Sequence, residues 1–153
     1  MTRLWERLGI VAFWVCWPAL LFWLGRSERS RVLIVSDKKI LLVKSWLGSG
    51  VWCLPGGGIR SQESSEQAAI REVREETGLG LNLSSLHLVG HERSGHSGMH
   101  YMGDFFVTNF TGDQRPVVRP PEIIAVEWFE IQNLPHRLAA EVIRALNLAK
   151  LPS

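Results

Sequence analysis

Three glutamates lie close together in the segment REVREE, residues 71–76. In a helix, Glu72, Glu75 and Glu76 share one face, because side chains three and four residues apart are neighbours. Carboxylates in this arrangement repel one another, and the C-terminal end of a helix macrodipole disfavours anions further. A divalent cation would offset both penalties, and carboxylate oxygens suit Mg²⁺ or Mn²⁺. Taken alone, however, the segment is more typical of an ordinary solvent-exposed acidic helix face. The surrounding sequence is needed to distinguish this from a metal site.

A helix over about 65–77 is predicted to carry these glutamates. Ser64 and Gln67 have the spacing of a capping box, and Gly78 stands where a glycine commonly ends a helix. The predicted buried side recurs at helical spacing: Ala69, Ile70, Val73 and Thr77. The helix therefore has a start, an end and a core-facing side, and its last turn holds the carboxylates.

Strand patterns surround this helix. Aliphatic runs at 32–35 and 40–43 flank a polar turn at 36–39, which predicts a hairpin, and the glycine-rich residues 48–58 predict a loop with a short strand at 51–54. Further strands are predicted at 86–90, 101–110 and 123–131, with polar loops at 91–100 and 111–122, and a final amphipathic helix after Pro135 with Leu138, Val142, Ile143 and Leu146 inward. Strands and helices mix without strict alternation, so we expect an α+β fold with a mixed sheet covered by helices.

Residues 8–25 form an uncharged, strongly apolar run. As a helix this run would be roughly 27 Å long, close to the thickness of the bilayer hydrocarbon core. We predict a single membrane-spanning helix, against the alternatives of a cleaved signal peptide or a soluble apolar helix. Basic residues after the run outnumber those before it, which predicts residues 26–153 in the cytoplasm. The predicted organisation is an anchor and linker over 1–30 and a catalytic domain over 31–153.

Length, charge and cysteine content argue against a nucleic-acid-binding protein, a disulfide-rich protein and a zinc-binding protein. The chain of 153 residues has the size of one ordinary domain and can bury a core. Its net charge is +2 and the basic excess sits in the first 31 residues, so we expect no nucleic-acid partner. The two cysteines, Cys16 and Cys53, form neither a disulfide framework nor a zinc-binding spacing.

The pattern around the glutamates extends well beyond the helix. Counting from Gly57 to Leu79, the chain reads G-x5-E-x7-R-E-U-x-E-E-x-G-U, where U is aliphatic, with no position missing. Such a match would arise by chance on the order of 10⁻⁹ per starting point at ordinary residue usage. The sequence resembles the Nudix hydrolase family, of which this pattern is the signature box. The likeness covers about 31–150 and includes Trp52–Gly57, Val126–Phe129 and Leu134–Pro135.

The resemblance implies an α/β/α sandwich with a mixed sheet, preceded in this chain by the hydrophobic N-terminal helix. It also implies a Mg²⁺-dependent hydrolase, with Mn²⁺ as an alternative, that cleaves the pyrophosphate bond of a nucleoside diphosphate linked to another moiety. Glu72 and Glu76 match the principal metal ligands, and Glu75 matches a third ligand or the catalytic base. Gly57 matches the turn that brings the backbone close to the metal and the phosphates.

Other positions are expected to support or extend this site. By the same resemblance, Glu63 is the more distant acidic residue that supports the metal site, and Arg71 pairs with the box carboxylates. Many family members have glycine where this chain has Gln62, so we expect a local change of loop path without loss of activity. Glu122, in the loop before a predicted strand, is a second candidate for the catalytic base. The residues predicted to contact substrate are Arg60, His96 and His100.

Two alternatives to a nucleotide hydrolase remain open from the sequence. One is a nucleotide-binding sensor or adaptor at the membrane that does not turn its ligand over. The other is a hydrolase of a lipid-linked diphosphate, whose substrate would lie beside the predicted anchor. If the chain is a nucleotide hydrolase, the expected partners are a nucleotide-type substrate, the membrane through residues 8–25, and a second copy in a homodimer. The box does not select the substrate, because we expect the loops at 91–100 and 111–122 to determine it.

Overall fold

The computed structural model describes residues 28–45, 50–94, 101–119 and 122–151 of the chain. The strands within these residues are β1 (Arg29–Ser36), β2 (Lys39–Ser45), β3 (Trp52–Cys53), β4 (His87–Ser94), β5 (Tyr101–Asn109) and β6 (Ile123–Glu130). The helices are α1 (Ser65–Thr77) and α2 (Ala140–Leu148), with one 3₁₀ turn at Leu83–Ser85. The predicted hairpin is therefore confirmed, although β1 begins three residues earlier than expected. β4 also continues into the segment that was predicted to be a loop from residue 91.

The strands form one mixed sheet with β1 near its centre. The order is β3-β2-β1-β5-β4, and β6 also pairs with β2. β1 runs antiparallel to β2 and parallel to β5, with Arg29 beside Gly103 and Val35 beside Asn109. This parallel pairing brings the starts of β1 and β5 together, although they are far apart in the sequence.

Helices cover both faces of this sheet. Leu33 and Val35 pack on one face in a core cluster that includes α2. Val32 and Ile34 point to the other face and pack in a cluster that includes α1. Both faces of β1 are covered, which explains why its sequence is a continuous apolar run without polar alternation. The predicted α+β fold, with a mixed sheet between helices, is confirmed.

The predicted limits of α1 are confirmed residue for residue. The Ser64 hydroxyl accepts from the Gln67 N–H at 3.3 Å, and the Gln67 side chain accepts from the Ser64 N–H at 3.0 Å, which completes the capping box. Gly78 ends the helix with φ of 75° and donates its N–H to the Arg74 carbonyl at 3.0 Å. These local contacts fix where α1 starts and ends, so they fix where its glutamates lie.

Two predicted core positions need correction. Ile70 is only partly buried, and Ala68 is buried instead, because α1 is rotated so that Ala68, Ala69, Val73 and Thr77 face the sheet. Ile143 is 40% exposed, because the buried face of the short helix α2 is formed by Glu141, Val142, Ala145 and Leu146. Both errors are shifts of about one residue around a helix and leave the core-facing sides otherwise as predicted.

The predicted single-pass membrane localisation is corrected. Among residues 28–45, 50–94, 101–119 and 122–151, no helix is long and apolar enough to cross a membrane. The two helices have 13 and nine residues, whereas about 20 are needed to span a bilayer. Residues 8–25, on which the anchor was predicted, lie outside the described residues. The prediction of a membrane-spanning anchor is therefore not retained.

Candidate active site

Arg71 stands at the centre of a cluster of carboxylates on and before α1. Its Nε and Nη2 donate to the two carboxylate oxygens of Glu63, each at 2.8 Å. Its Nη1 donates to Glu72 Oε1 at 2.6 Å and to Glu75 Oε2 at 3.2 Å. Its Nη2 also donates to the Gly58 carbonyl at 3.0 Å. One guanidinium therefore contacts three box carboxylates, because its planar fork presents donors in several directions at once.

The contacts between Arg71 and Glu63 stabilise the charged form of both groups. The hydrogen bonds from Arg71, together with that from the Arg60 N–H at 3.0 Å, lower the pKa of Glu63 from 4.5 to about 2, and Arg71 has the larger effect. The hydrogen bonds to Glu63 raise the pKa of Arg71 in turn. Their side chains are only 15% and 16% exposed, so solvent screens the pair less than it would at an open surface.

Glu76 has a different environment from the other carboxylates. Its Oε2 accepts the backbone N–H of Gly56 at 2.9 Å. Burial raises the pKa of Glu76 to about 8, and the negative charges of Glu72 and Glu122 act in the same direction. A buried carboxylate with this environment is costly to ionise, and a bound cation would remove much of that cost.

The glycine turn at residues 56–58 lies directly against Glu72. A Cβ on Gly57 would meet the Glu72 carboxylate carbon at 2.5 Å and its two oxygens at 2.6 and 2.8 Å. Any side chain at this position would therefore displace the carboxylate. The Gly57 carbonyl already accepts the Ser30 N–H at 2.9 Å, which leaves one of its two lone pairs for a further contact.

Glu75 and Arg60 lie on the open side of the cluster. Their side chains are 51% and 63% exposed, and Arg60 Nη2 approaches Glu75 Oε1 at 3.4 Å. An open hollow of about 570 Å³ adjoins Glu75, lined by Gln67, Ile70, Arg71, Arg74, Glu75 and Arg119. The predicted base and the predicted substrate contact are therefore accessible to a ligand from solvent.

The predicted metal ligands do not already form a closed cluster. Within the described residues, no three His, Cys, Asp or Glu side chains converge closely enough to hold a metal ion. Arg71 draws Glu72 and Glu75 toward itself, while Glu76 turns toward Gly56. The donor set nevertheless fits a hard divalent cation, because Glu72 and Glu76 supply oxygen ligands from one helix face. The partly buried carboxyl of Glu76, held by the Gly56 N–H, and the close approach of Gly57 to Glu72 are the observations that favour a cation at this place.

The remaining predicted residues lie in different parts of the chain. Glu122 is exposed in the turn just before β6, and its charge acts on Glu76. His96 and His100 lie outside the described residues, so their predicted role stays a prediction. Gln62 has φ of 66°, the left-handed conformation that glycine favours, so glutamine adopts at this position a geometry that suits the glycine of many family members.

One group of residues beside this site was not predicted from the sequence. Arg31 is not among the predicted site residues, yet it is buried and donates to the Gly56 carbonyl. Tyr101 and Glu141 contact it from β5 and α2. The available signal was a charge placed directly before the buried run at 32–35, but the partners of that charge are distant in sequence and no local pattern identifies them.

A family comparison decides the relationship of this chain to known proteins. The model of the NUDIX domain matches residues 26–148, which is most of the chain. The chain belongs to the Nudix family. The matched range includes the complete box from Gly57 to Leu79 and the strands and helices described above, so the predicted family is confirmed.

Individual Nudix relatives resemble the chain at about one third identity. It is 32% identical over 111 residues to an RNA pyrophosphohydrolase from Gluconacetobacter diazotrophicus, covering 60% of this chain and 64% of the relative. It is 31% identical over 105 residues to an ADP-ribose pyrophosphatase from Methanocaldococcus jannaschii, covering 67% of this chain and 61% of the relative. The chain thus spans less than two thirds of the length of either relative.

The Nudix fold of the chain also agrees with a solved structure. The MutT NUDIX hydrolase from Burkholderia pseudomallei superposes with a TM-score of 0.71 and 29% identity, covering 80% of this chain and 97% of that one. This likeness extends over nearly all of the solved chain. Together, the family match and this likeness establish the Nudix family and fold of the chain.

Proposed function

We propose that this Nudix chain is a Mg²⁺-dependent pyrophosphohydrolase that acts on a nucleoside diphosphate linked to another moiety, with Mn²⁺ as an alternative cation. The observation that carries the proposal is the contact of one guanidinium, that of Arg71, with three box carboxylates beside a glycine turn. The proposed catalytic unit comprises residues 31–153. The first two residues of β1, Arg29 and Ser30, come directly before it. The two named pyrophosphohydrolase relatives support the reaction class.

Glu72 and Glu76 are the proposed ligands of the cation. When bound there, the cation would neutralise the approaching pyrophosphate, acidify the attacking water and stabilise the charge on the leaving oxygen. Arg71 keeps Glu72 oriented through a hydrogen bond of 2.6 Å, and Glu63 in turn fixes Arg71. The Gly56 N–H orients Glu76 through a hydrogen bond of 2.9 Å. Each proposed ligand is thus held by a hydrogen bond: Glu72 by a side chain of α1, and Glu76 by the backbone of the glycine turn.

Glu75 and Glu122 are the two proposed bases for activating water. Glu75 is half-exposed beside the proposed ligands and is held by Arg71 at 3.2 Å. Glu122 lies on a separate segment, in the turn before β6. Loss of a general base lowers kcat by about 10²–10⁴-fold. The variants Glu75→Gln and Glu122→Gln should therefore separate the two, because only the variant of the true base shows such a loss at saturating metal.

The substrate class rests on the chemistry that the named relatives share. One relative is named for RNA and the other for ADP-ribose, and both are named for cleavage at pyrophosphate. A nucleoside attached to a pyrophosphate bridge is the common element. Arg60, exposed beside Glu75, is a proposed contact for the negative charge of such a substrate, and His96 and His100 remain predicted contacts. A homodimer stays a prediction from the sequence.

The test is product release by the full chain on a panel of capped RNA, ADP-ribose, nucleotide sugars and nucleoside triphosphates. Reactions are run with Mg²⁺, with Mn²⁺ and with a chelator. Glu76→Gln should abolish turnover, whereas the matched control Glu127→Gln, an exposed glutamate on β6, should keep it. Nucleotide binding without any turnover would contradict the proposal and point to a sensor instead.

A further inference from the structure

Arg31 is a buried arginine that belongs to neither the proposed metal ligands nor the Arg71 cluster. It is 8% exposed on β1. Its Nη1 donates to two backbone carbonyls of the glycine-rich turn, that of Leu54 at 3.3 Å and that of Gly56 at 2.5 Å. Arg31 therefore contacts the backbone of the same turn whose N–H groups and α-carbons approach Glu76 and Glu72.

Two side chains from distant elements hold this arginine. Arg31 Nε donates to the Tyr101 hydroxyl at 3.2 Å and lies 3.4 Å from Glu141 Oε2. The Tyr101 hydroxyl donates to the same Glu141 oxygen at 2.6 Å. Glu141 is 5% exposed, and its other oxygen has no hydrogen-bond partner within the described residues. We refer to Arg31, Tyr101 and Glu141 as the buried triad.

The stability of the fold does not by itself explain why the buried triad is present. Removing a buried ion pair in favour of apolar side chains of similar volume is often neutral or stabilising. The turn is also attached to β1 by backbone hydrogen bonds, from Ser30 N–H to Gly57 and from Val32 N–H to Pro55, at 2.9 and 3.0 Å. These bonds hold the turn against the strand without Arg31. Arg31 Nη1 adds a second set of contacts, to the Leu54 and Gly56 carbonyls, which belong to the peptide units before and after the Pro55–Gly56 unit.

Gly56 connects the buried triad to Glu76. Its carbonyl accepts from Arg31, and its N–H donates to Glu76 Oε2 at 2.9 Å. Gly56 has φ of 139°, and a Cβ there would meet the Ser30 carbonyl oxygen at 2.2 Å, so only glycine fits against β1. The Gly56 N–H belongs to the Pro55–Gly56 peptide unit, whose carbonyl accepts the Val32 N–H at 3.0 Å, and Arg31 binds the carbonyls of the peptide units on either side of it. A rotation of these two neighbouring units would move the N–H that Glu76 accepts. The hydrogen bonds thus run from Glu141 through Tyr101, Arg31 and Gly56 to a proposed metal ligand.

We propose that Arg31 is a positioning residue that orients the Gly56 N–H toward Glu76, and that Tyr101 and Glu141 hold it in place, so that Glu76 is set to bind the divalent cation. This inference rests on the proposed function for the identity of the ligand. It adds that the affinity for the cation depends on a triad built from β1, β5 and α2. Partners of a metal ligand that act through hydrogen bonds commonly change affinity by about 10–100-fold when removed.

The experiment measures Mn²⁺ binding to the full chain by calorimetry, without substrate. Tyr101→Phe removes one hydroxyl and keeps the ring, and Glu141→Gln removes the charge. We expect each to weaken Mn²⁺ binding by about tenfold, in line with other residues that orient metal ligands. Arg31→Lys keeps the charge but cannot reach both carbonyls and the hydroxyl, so it should weaken binding at least as much if it folds.

A matched control separates positioning from a general loss of stability. Val142→Ala alters a fully buried residue next to Glu141 on α2 and leaves the triad intact. It should lower the melting temperature without changing Mn²⁺ affinity. The proposal is overturned if Tyr101→Phe and Glu141→Gln bind Mn²⁺ as the wild type does, or if Val142→Ala weakens binding equally.

The same measurement distinguishes this inference from the proposed function. Glu76→Gln should abolish Mn²⁺ binding at this site. If the wild type binds Mn²⁺ through Glu76 but hydrolyses no substrate, the proposed activity fails while the triad is still tested by its effect on affinity. If the wild type binds no Mn²⁺, both the metal site and the positioning role are overturned.

Discussion

Arg71 and Glu63 meet through two parallel hydrogen bonds, each 2.8 Å long, across the turn that precedes α1. This is the two-pronged geometry in which arginine and carboxylate bind most strongly. It fixes the guanidinium so that its remaining N–H groups reach Glu72 and Glu75. Glu63 therefore acts on the proposed metal ligands through Arg71 and not by direct contact in this arrangement.

Glu63→Gln should make the stability of the protein less sensitive to acid. Arg71 lowers the pKa of Glu63 to about 2, against an ordinary value of 4.5. As the pH falls, Glu63 is therefore protonated in the unfolded chain at a higher pH than in the folded chain. The resulting stabilisation is present above pH 4.5 and is lost as the pH falls through about 2.

The measurement is the free energy of unfolding in urea, at pH 6 and at pH 3. The wild type should lose more stability between these values than Glu63→Gln does. Glu127→Gln, on the exposed surface of β6, serves as the control and should behave as the wild type. Equal acid sensitivity of wild type and Glu63→Gln would show that the paired carboxylate contributes nothing to the fold.

Gly57→Ala should abolish hydrolysis by displacing Glu72. The added Cβ would lie 2.5 Å from the Glu72 carboxylate carbon, which is closer than real contacts allow. Gly80→Ala is the matched control, since a Cβ there would meet only Gln114 at 3.8 Å or more. In the first variant, turnover should be lost and Mn²⁺ affinity should fall, whereas both should stay unchanged in the second. Full activity of Gly57→Ala would exclude Glu72 from the site in its observed position.

Glu76→Gln should stabilise the metal-free protein at high pH while abolishing its response to metal. Burial raises the pKa of Glu76 to about 8. In the absence of metal, the fold keeps a proton that the unfolded chain releases near pH 4.5, so stability falls as the pH rises toward about 8. Neutral glutamine removes this dependence and still accepts the Gly56 N–H.

Thermal unfolding at pH 9 provides the check for Glu76→Gln. With a chelator present, the variant should melt at a higher temperature than the wild type. With Mg²⁺ or Mn²⁺ added, only the wild type should gain stability, because a ligand that binds the folded state raises its melting temperature. An equal gain in both proteins would place the cation elsewhere.

Gln62→Gly should stabilise the fold. Gln62 has φ of 66°, where residues with a side chain lose roughly 1–2 kcal/mol relative to glycine. Part of this gain is offset by the greater freedom of glycine in the unfolded chain, so we expect a net increase of about 0.5–1 kcal/mol. Gln132→Gly, at an exposed turn position without a positive φ, should instead destabilise. Urea unfolding of both variants tests this, and activity should be retained in each.

The sequence by itself determined the parts of this protein that depend on local chemistry. The capping box at Ser64 and the terminal Gly78 fixed α1 to the residue, because caps are satisfied by neighbours only a few positions away. The spacing of the box then placed Glu72, Glu75 and Glu76 on that helix. The same patterns misjudged Ile70 and Ile143, because a shift of one residue around a helix changes which side chain meets the sheet.

Only the tertiary structure decided how the site is held together. The parallel pairing of β1 with β5 brings Tyr101 to Arg31, and the packing of α2 brings Glu141 to both. Such contacts depend on which strands pair and which helix covers them, and no periodicity along the chain specifies either. The carboxylates were therefore readable from their spacing. The pairing of Arg71 with the box carboxylates also followed from the resemblance, and it lies within one local segment. The backbone N–H that Gly56 donates to Glu76 was not readable, because the fold brings the glycine turn to the end of α1.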